Sequence, residues 1–209
     1  QSLSEYGAKN GTIIVMDPKT GEILAMATTP RMDLNNYTDY FQIYDNGSQY
    51  NRSIGMAYEA GSVVKVLTMA AALDTGTVTP ETTFIDTGSI DVGGITIQNW
   101  DRKPWGQQDM IGCLQHSLNV CLAWIATQMG SPNFYSYMEH FGLGHPTGID
   151  LSGEAMGRLK VPGDSDWYPV DLGTNAFGQG VTVTPLQMRR AVSAVANDGQ
   201  MVTPRMLYA

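Results

Sequence analysis

The order of apolar and polar positions along the chain divides it into strand-like and helix-like segments. Apolar residues dominate residues 12–16 and 22–27, and residues 17–21 between them carry the Asp, Pro and Gly typical of a turn. This pattern predicts a hairpin. Residues 30–57 show no sustained period and are rich in Asn, Asp and Tyr, so they predict a long connection with at most short helical pieces.

Small and aliphatic residues from Val63 to Leu73, followed by Gly76, predict a buried helix. The next segment, residues 76–108, holds many turn formers and two short β-like runs at 83–85 and 95–97. We therefore expect a small hairpin excursion after the buried helix.

Helical composition returns over residues 109–129, but the Ser and Asn within residues 116–119 compete for backbone hydrogen bonds and interrupt it. A further helix is predicted over residues 133–140, and residues 142–163 are loop-rich. The last helix is well punctuated, because residues 184–187 offer an N-cap Thr, a Pro at the first position and a Gln for a capping box. This order of elements predicts an α+β layered domain.

Composition restricts the class of protein. Of the 209 residues, 43% are hydrophobic and 15% are charged, which favours a folded core over disorder. The net charge of −8 and the lack of a basic run argue against a nucleic-acid partner. No apolar run reaches the length of a membrane span, and there is no signal peptide. Gln1 in place of an initiator Met favours a cut or processed chain.

Neither the cysteines nor the histidines indicate a further site. Cys113 and Cys121 would lie about 12 Å apart along a continuous helix, so no disulfide is expected, although a helix break would reopen the question. The histidines His116, His140 and His145 form no metal motif.

Ser62 and Lys65 are the candidates for chemistry. Ser62 lies in the first turn of the buried helix, where unpaired backbone N–H groups favour negative charge, and Lys65 lies one turn later on the same face. A buried lysine loses its proton more readily and could accept the proton of a serine nucleophile. Alternatively, Ser62 caps the helix and Lys65 extends to water. A Ser-x-x-Lys pattern alone does not decide, since about one match is expected by chance in a chain of this length.

The surrounding motifs resemble, in order, those of class B penicillin-binding protein transpeptidase domains, and the resemblance covers nearly the whole chain. Each motif is weak alone, but six in the family's order are specific. They are Val15-Met16-Asp17-Pro18 through Thr20-Gly21-Glu22-Ile23-Leu24-Ala25-Met26; Tyr58-Glu59-Ala60-Gly61-Ser62-Val63-Val64-Lys65; Ser117-Leu118-Asn119; Thr147-Gly148-Ile149-Asp150-Leu151 with Gly153-Glu154; Phe177-Gly178-Gln179-Gly180; and Val183-Thr184-Pro185-Leu186-Gln187.

The resemblance implies the fold shared by penicillin-binding proteins and serine β-lactamases, with a central, mostly antiparallel sheet covered by helices and a helical lobe. It implies Ser62 as the nucleophile, Lys65 as its general base, Ser117 as a proton relay and Asn119 as a ligand of the substrate amide. Trp100 is expected to line the groove, or otherwise to anchor a loop as a half-buried side chain.

The implied reaction is attack of Ser62 on the carbonyl between the two D-alanines of a peptidoglycan stem peptide, followed by transfer to an amine of a neighbouring stem. β-Lactams would acylate the same serine, and neither a metal nor an organic cofactor is expected. Gln179 and Glu154 are expected to hold loops. No Glu-x-x-Leu-Asn occurs, so the water-activating glutamate of class A β-lactamases has no counterpart.

One departure concerns the family's third motif, Lys-Thr-Gly, which follows the Thr-Pro-Leu-Gln helix in the family. Here the sequence ends at Ala209 without it, and the literal Lys19-Thr20-Gly21 precedes Ser62 in a predicted turn. Residues 1–209 are therefore expected to be a partial transpeptidase domain, weakly active or inactive alone.

Two alternatives to the transpeptidase remain open. One is a β-lactamase or D,D-carboxypeptidase, which would release its acyl group to water. The other is a noncatalytic β-lactam sensor or wall-binding scaffold. The resemblance also implies a location on the outer face of a bacterial cytoplasmic membrane, an N-terminal anchor, and cell-wall synthesis partners bound through regions absent from this sequence.

Overall fold

The computed structural model describes residues 2–29, 31, 33, 35–36 and 51–207. Two compact units arise from the chain. The first unit combines residues 1–58, 146–157 and 183–209, and the second combines residues 59–145 and 158–182. Each unit is thus assembled from segments distant in sequence.

The described residues include both α-helices and antiparallel strand pairs, so the α+β prediction is confirmed. The helices are α1 (Ser2–Glu5), α2 (Arg52–Gly55), α3 (Val64–Asp74), α4 (Met110–Gln115), α5 (Asn119–Met129), α6 (Ser131–His140), α7 (Pro169–Asn175) and α8 (Pro185–Val195). The strands are β1 (Gly11–Met16), β2 (Ile23–Thr29), β3 (Tyr58–Glu59), β4 (Phe84–Asp86), β5 (Ser89–Val92), β6 (Ile95–Gln98), β7 (Gly106–Gln108) and β8 (Thr182–Val183). The described strands pair two by two.

The first unit contains the predicted opening hairpin. Strands β1 and β2 pair antiparallel, and the register shifts next to the turn, between Val15 and Met16. Asp17 Oδ1 accepts hydrogen bonds from the backbone N–H groups of Lys19 and Thr20, which shapes the turn. Lys19-Thr20-Gly21 is therefore part of a hairpin turn, as predicted.

Helix α8 has the cap that its sequence predicts. Thr184 Oγ1 accepts a hydrogen bond from Gln187 N at 3.1 Å, and Thr184 N donates to Gln187 Oε1 at 2.7 Å, which completes a capping box. The helix packs on α2 and β1. The core cluster of this unit consists of Met16, Ile23, Ile54, Ile149 and Leu186.

Helix α5 is the centre of the second unit. It packs against α3, α6, α7 and the β5–β6 hairpin, and most of its side chains are buried. The predicted buried helix is also present: a 3₁₀ turn at Gly61–Val63 leads into α3. The two β-like runs predicted within residues 76–108 both form strands, but they do not pair with each other as one hairpin: β4 pairs with β7, and β6 pairs with β5.

A disulfide joins Cys113 and Cys121, and this corrects the sequence-based expectation. The 12 Å separation assumed one continuous helix, whereas the chain leaves helical geometry at residues 116–118, between α4 and α5 and within the predicted interruption. The break brings the two Cα atoms to 6.0 Å from each other, within the range that a disulfide spans.

The predicted connection over residues 30–57 lies mostly outside the described residues, and its described end contains α2. None of the helices in the described ranges is both long and apolar enough to cross a membrane. The same ranges hold no cluster of three or more His, Cys, Asp or Glu side chains arranged to bind a metal ion.

Candidate active site

Ser62 lies in the 3₁₀ turn that leads into α3, with its side chain exposed. The turn is fixed by Gly178, whose carbonyl accepts a hydrogen bond from Gly61 N at 3.1 Å. Gly178 has a φ of +83°, and a Cβ at this position would lie 2.1 Å from Gly61 O. Only glycine fits such an approach, so this contact sets the position of the Ser62 turn.

Lys65 lies one turn later, and its side chain is only 2% exposed. Its Nζ donates hydrogen bonds to three oxygens: Ser117 O at 2.6 Å, Ser117 Oγ at 3.0 Å and Asn119 Oδ1 at 2.8 Å. Nζ also lies 6.0 Å from the centroid of the Phe177 ring. Burial lowers the pKa of Lys65 from its ordinary 10.5 to about 8, because the charged form loses hydration.

Ser117 connects Lys65 to Ser62. Its Oγ donates a hydrogen bond to Ser62 Oγ at 3.1 Å while accepting one from Lys65 Nζ. The backbone of Ser117 has a φ of +54°, a left-handed conformation that costs a non-glycine residue about 1–3 kcal/mol. This conformation occurs at the break between α4 and α5 that the disulfide brackets. The result is a continuous chain of hydrogen bonds from a buried amine to an exposed hydroxyl.

The break before Ser117 is supported by an aromatic stack. The rings of Trp105 and His116 are 4.3 Å apart and nearly parallel. Trp105 Nε1 donates a hydrogen bond to Asp101 Oδ2 at 3.1 Å, which fixes the indole. His116, adjacent to Ser117, is thereby held in place.

Asn119 is the first residue of α5, and both ends of its amide are bonded. Oδ1 accepts the hydrogen bond from Lys65, and Nδ2 donates to Gln98 O at 3.2 Å. The structure therefore brings together Ser62, Lys65, Ser117 and Asn119, the four residues that the sequence motifs selected.

A family model described as the penicillin binding protein transpeptidase domain matches residues 11–209 of this sequence. The chain belongs to this family. Stage V sporulation protein D of Bacillus subtilis (strain 168) is 38% identical to it over 204 residues, covering 96% of this chain and 30% of the relative. Peptidoglycan D,D-transpeptidase MrdA of Acinetobacter baumannii is 31% identical over 222 residues, covering 98% of this chain and 33% of the relative. The chain thus spans about a third of the length of these relatives.

Solved structures of penicillin-binding proteins share the fold. Penicillin-binding protein 3 from Mycobacterium tuberculosis, solved in complex with aztreonam, matches with a TM-score of 0.84 and 31% identity, over 99% of this chain and 45% of that one. The transpeptidase domain of penicillin-binding protein 3 from Burkholderia pseudomallei matches with a TM-score of 0.83 and 27% identity, over 100% and 56%. The predicted penicillin-binding protein fold is therefore confirmed.

Two further motif residues of this transpeptidase-family chain were expected to hold loops. Glu154 does so, because its carboxylate accepts hydrogen bonds from Thr147 N, Thr147 Oγ1 and Gly148 N. The Gln179 side chain is exposed, and its backbone N–H donates to Thr174 O. Glu154 thus fixes the Thr-Gly-Ile-Asp-Leu segment of the family pattern.

Trp100 follows β6, two residues after Gln98, and its side chain is 71% exposed. It is therefore not the half-buried loop anchor that the sequence offered as an alternative. Sequence reasoning missed two polar residues close to it in the fold, Asp86 and Asn99, which are 1% and 2% exposed. The one available signal was the position of Asn99 directly after the apolar alternation of β6. A strand end gives no reason to bury an amide, so this position alone did not mark Asn99 as buried.

Proposed function

We propose that this protein is a peptidoglycan D,D-transpeptidase in which Ser62 forms the acyl-enzyme. The observation that carries the proposal is the chain of hydrogen bonds from the buried Lys65 amine through Ser117 Oγ to Ser62 Oγ. A serine hydroxyl becomes a good nucleophile only when a neighbouring group accepts its proton. The name of the MrdA relatives, peptidoglycan D,D-transpeptidase, supports the same reaction class.

The proton route follows from these contacts. When Lys65 is neutral, Ser117 Oγ can donate its proton to Nζ and accept the proton of Ser62 Oγ. The lowered pKa of Lys65 makes the neutral amine accessible near neutral pH. Ser117 is thus a relay between nucleophile and base, since the hydrogen bonds run from Lys65 to Ser62 through its hydroxyl.

In the first half-reaction, Ser62 Oγ attacks the carbonyl carbon between the two D-alanines of a stem peptide. The C–N bond then breaks, and the proton held by Lys65 returns through Ser117 to the nitrogen of the departing D-alanine. In the second, an amine of a neighbouring stem attacks the ester carbonyl, gives up a proton by the same route and releases Ser62. We assign Ser62 N–H, at the mouth of α3, as one donor to the oxyanion.

Asn119 and Trp100 are the proposed substrate contacts. Gln98 O takes one hydrogen of Asn119 Nδ2, and we assign the second hydrogen to a backbone carbonyl of the stem peptide. The exposed indole of Trp100 offers an apolar wall for the same peptide.

The proposal is tested by labelling the full-length gene product with a fluorescent penicillin and locating the adduct by mass spectrometry. A single adduct on Ser62 that is absent from the Ser62→Ala variant is expected. Labelling elsewhere, or none, would contradict the proposal. A long-lived adduct favours the transpeptidase, whereas rapid turnover indicates a β-lactamase or carboxypeptidase. An unchanged cellular phenotype of Ser62→Ala would favour a noncatalytic scaffold.

The relatives also suggest the cellular setting. They include penicillin-binding proteins and peptidoglycan transpeptidases of bacteria, so we place this protein in the cell envelope. We propose the outer face of the cytoplasmic membrane as its location, with stem peptides and β-lactams as ligands and proteins of a cell-wall synthesis complex as partners. The proposed chemistry uses only protein side chains, and the net charge of −8 disfavours nucleic acid.

A further inference from the structure

Asp86 and Asn99 form a buried pair beside the candidate active site. Asn99 Nδ2 donates hydrogen bonds to Asp86 Oδ2 at 2.6 Å and to Lys103 O at 3.2 Å. The other carboxylate oxygen, Asp86 Oδ1, accepts a hydrogen bond from Gly88 N at 2.7 Å. A carboxylate and an amide that are almost fully buried need a reason to be there, because their desolvation is costly.

The reason lies at the start of α5. The first N–H groups of a helix have no partner within the helix, and a polar N-cap side chain normally accepts one of them. Leu118 occupies the N-cap position and provides no such side chain. Asn99 replaces it from another part of the chain, because its Oδ1 accepts the hydrogen bond of Val120 N at 3.2 Å.

Asp86 determines which way the Asn99 amide faces. An ionised carboxylate only accepts hydrogen bonds, so the NH₂ group of Asn99 must face Asp86. The carbonyl oxygen of the amide is then directed at Val120 N. Val120 itself is 1% exposed, so water cannot easily replace this bond.

The pair is coupled to the candidate active site through the neighbouring residue. Gln98 O accepts a hydrogen bond from Asn119 Nδ2, and the next residue, Asn99, accepts one from Val120 N. Gln98 and Asn99 therefore hold the side chain of Asn119 and the backbone of the helix that begins with it. Asn119 in turn contacts Lys65. A displaced start of α5 would move Asn119 and the adjoining Ser117 together.

We propose that Asp86 and Asn99 are positioning residues for the acylation of Ser62, acting by capping α5 from outside the helix. This inference rests on the proposed function. Misplacement of reacting groups by about 1 Å can cost on the order of 100-fold in rate, so loss of a buried cap at this point should be visible in the chemistry.

A charge-exchange cycle in the full-length gene product tests the pair. Asn99→Asp places two carboxylates in contact and, at pH 8, should lower the second-order rate constant of acylation by penicillin by at least about tenfold. Adding Asp86→Asn restores a donor facing a carboxylate and leaves an oxygen at position 99 for Val120 N. The double variant should therefore be acylated at least about threefold faster than Asn99→Asp, but not as fast as the unsubstituted protein, because a carboxylate at position 99 cannot donate to Lys103 O as the Asn99 amide does.

The matched control is Asp171→Asn, which makes the same Asp-to-Asn change as Asp86→Asn. Asp171 is another buried carboxylate, and it pairs with Lys160 at 2.7 Å. It should lower the melting temperature but leave the acylation rate constant within about twofold. Hydrogen exchange of the Val120 amide gives a readout independent of activity. Its protection should fall in Asn99→Asp and return in the double variant.

The outcomes separate the two proposals. An unsubstituted protein that is not acylated on Ser62 would overturn the proposed function and, with it, this inference. An acylated protein in which the double variant regains Val120 protection but is acylated no faster than Asn99→Asp would overturn the inference alone. The inference is also overturned if Asn99→Asp loses no more activity than Asp171→Asn at equal loss of stability.

Discussion

Lys65 Nζ lies 2.8 Å from Asn119 Oδ1, and this contact decides which way the Asn119 amide faces. The ammonium group can only donate, so the amide oxygen must face it and the NH₂ group must face Gln98 O. The protonation state of Lys65 and the orientation of Asn119 are therefore linked. Both the pH dependence of acylation and its response to substitution of Asn119 should reflect this link.

Acylation of Ser62 should depend on pH through Lys65. The neutral amine is the base, and its fraction rises as pH increases through a pKa of about 8. The rate constant for acylation by penicillin should thus rise with pH, with a midpoint near 8, and level off above it. Lys65→Arg, which stays protonated, should lower the rate constant by about 10²–10⁴-fold and abolish its rise with pH around 8. A flat profile in the unsubstituted protein would show that Lys65 is not the base.

Asn119→Asp should move the same pH profile to higher pH. A carboxylate at the position of Asn119 Oδ1 would stabilise the ammonium form of Lys65 and raise its pKa. At pH 7, acylation should fall by about tenfold for each unit by which the midpoint rises. Stopped-flow acylation measured from pH 6 to 10 would reveal the shift. An unchanged midpoint with a lower plateau would mean that the variant damages substrate binding alone.

Gly178→Ala should disable the turn that carries Ser62. The new Cβ would lie 2.1 Å from Gly61 O, at a φ of +83°. Gly94→Ala is the matched control, since Gly94 has a similar φ of +81° but a Cβ added there would meet no atom within 4 Å. Both variants should lose about 1 kcal/mol or more of stability from backbone strain, measured by urea unfolding. Only Gly178→Ala should also lose acylation, by at least about tenfold, and equal losses in both would contradict the steric argument.

Replacing Cys113 and Cys121 with alanine should destabilise the protein. The disulfide closes a short loop, for which loop-closure entropy gives on the order of 2–3 kcal/mol. Urea unfolding of the double variant should show this loss. A reducing agent that cleaves the disulfide when the protein unfolds should lower the unfolding midpoint of the unsubstituted protein, but not that of the variant. Identical unfolding midpoints for the two proteins would show that the crosslink contributes nothing.

Much of the fold could be predicted because it depends on local pattern. The hairpin at the start, the buried helix after Ser62 and the capping box at Thr184 are all specified by neighbouring residues. The four residues brought together at the site were found through motif order, since Ser-x-x-Lys alone is too common. Turn formers in the excursion predicted its strands, but not that β4 pairs with β7 and β5 with β6.

The remainder depends on backbone conformation that no local pattern specifies or on contacts between distant segments. The interruption at residues 116–119 was predicted, but not the left-handed conformation of Ser117 that accompanies the close approach of Cys113 and Cys121. The interaction of Asn99 with Val120 joins residues 21 positions apart, and no local pattern reveals it. The placement of Ser117 Oγ between Lys65 and Ser62 likewise arises only when three segments of the chain meet.

The crosslink across the break has a dynamic consequence for Ser117. Helix ends ordinarily fray independently of their neighbours, and such fraying of α4 or α5 would release the loop between them. Because the disulfide between Cys113 and Cys121 links α4 to α5 across that loop, the end of one helix cannot unfold without the other. Amide exchange around Ser117 should then proceed through cooperative opening of both helices, so this partly exposed loop would exchange as slowly as the interior.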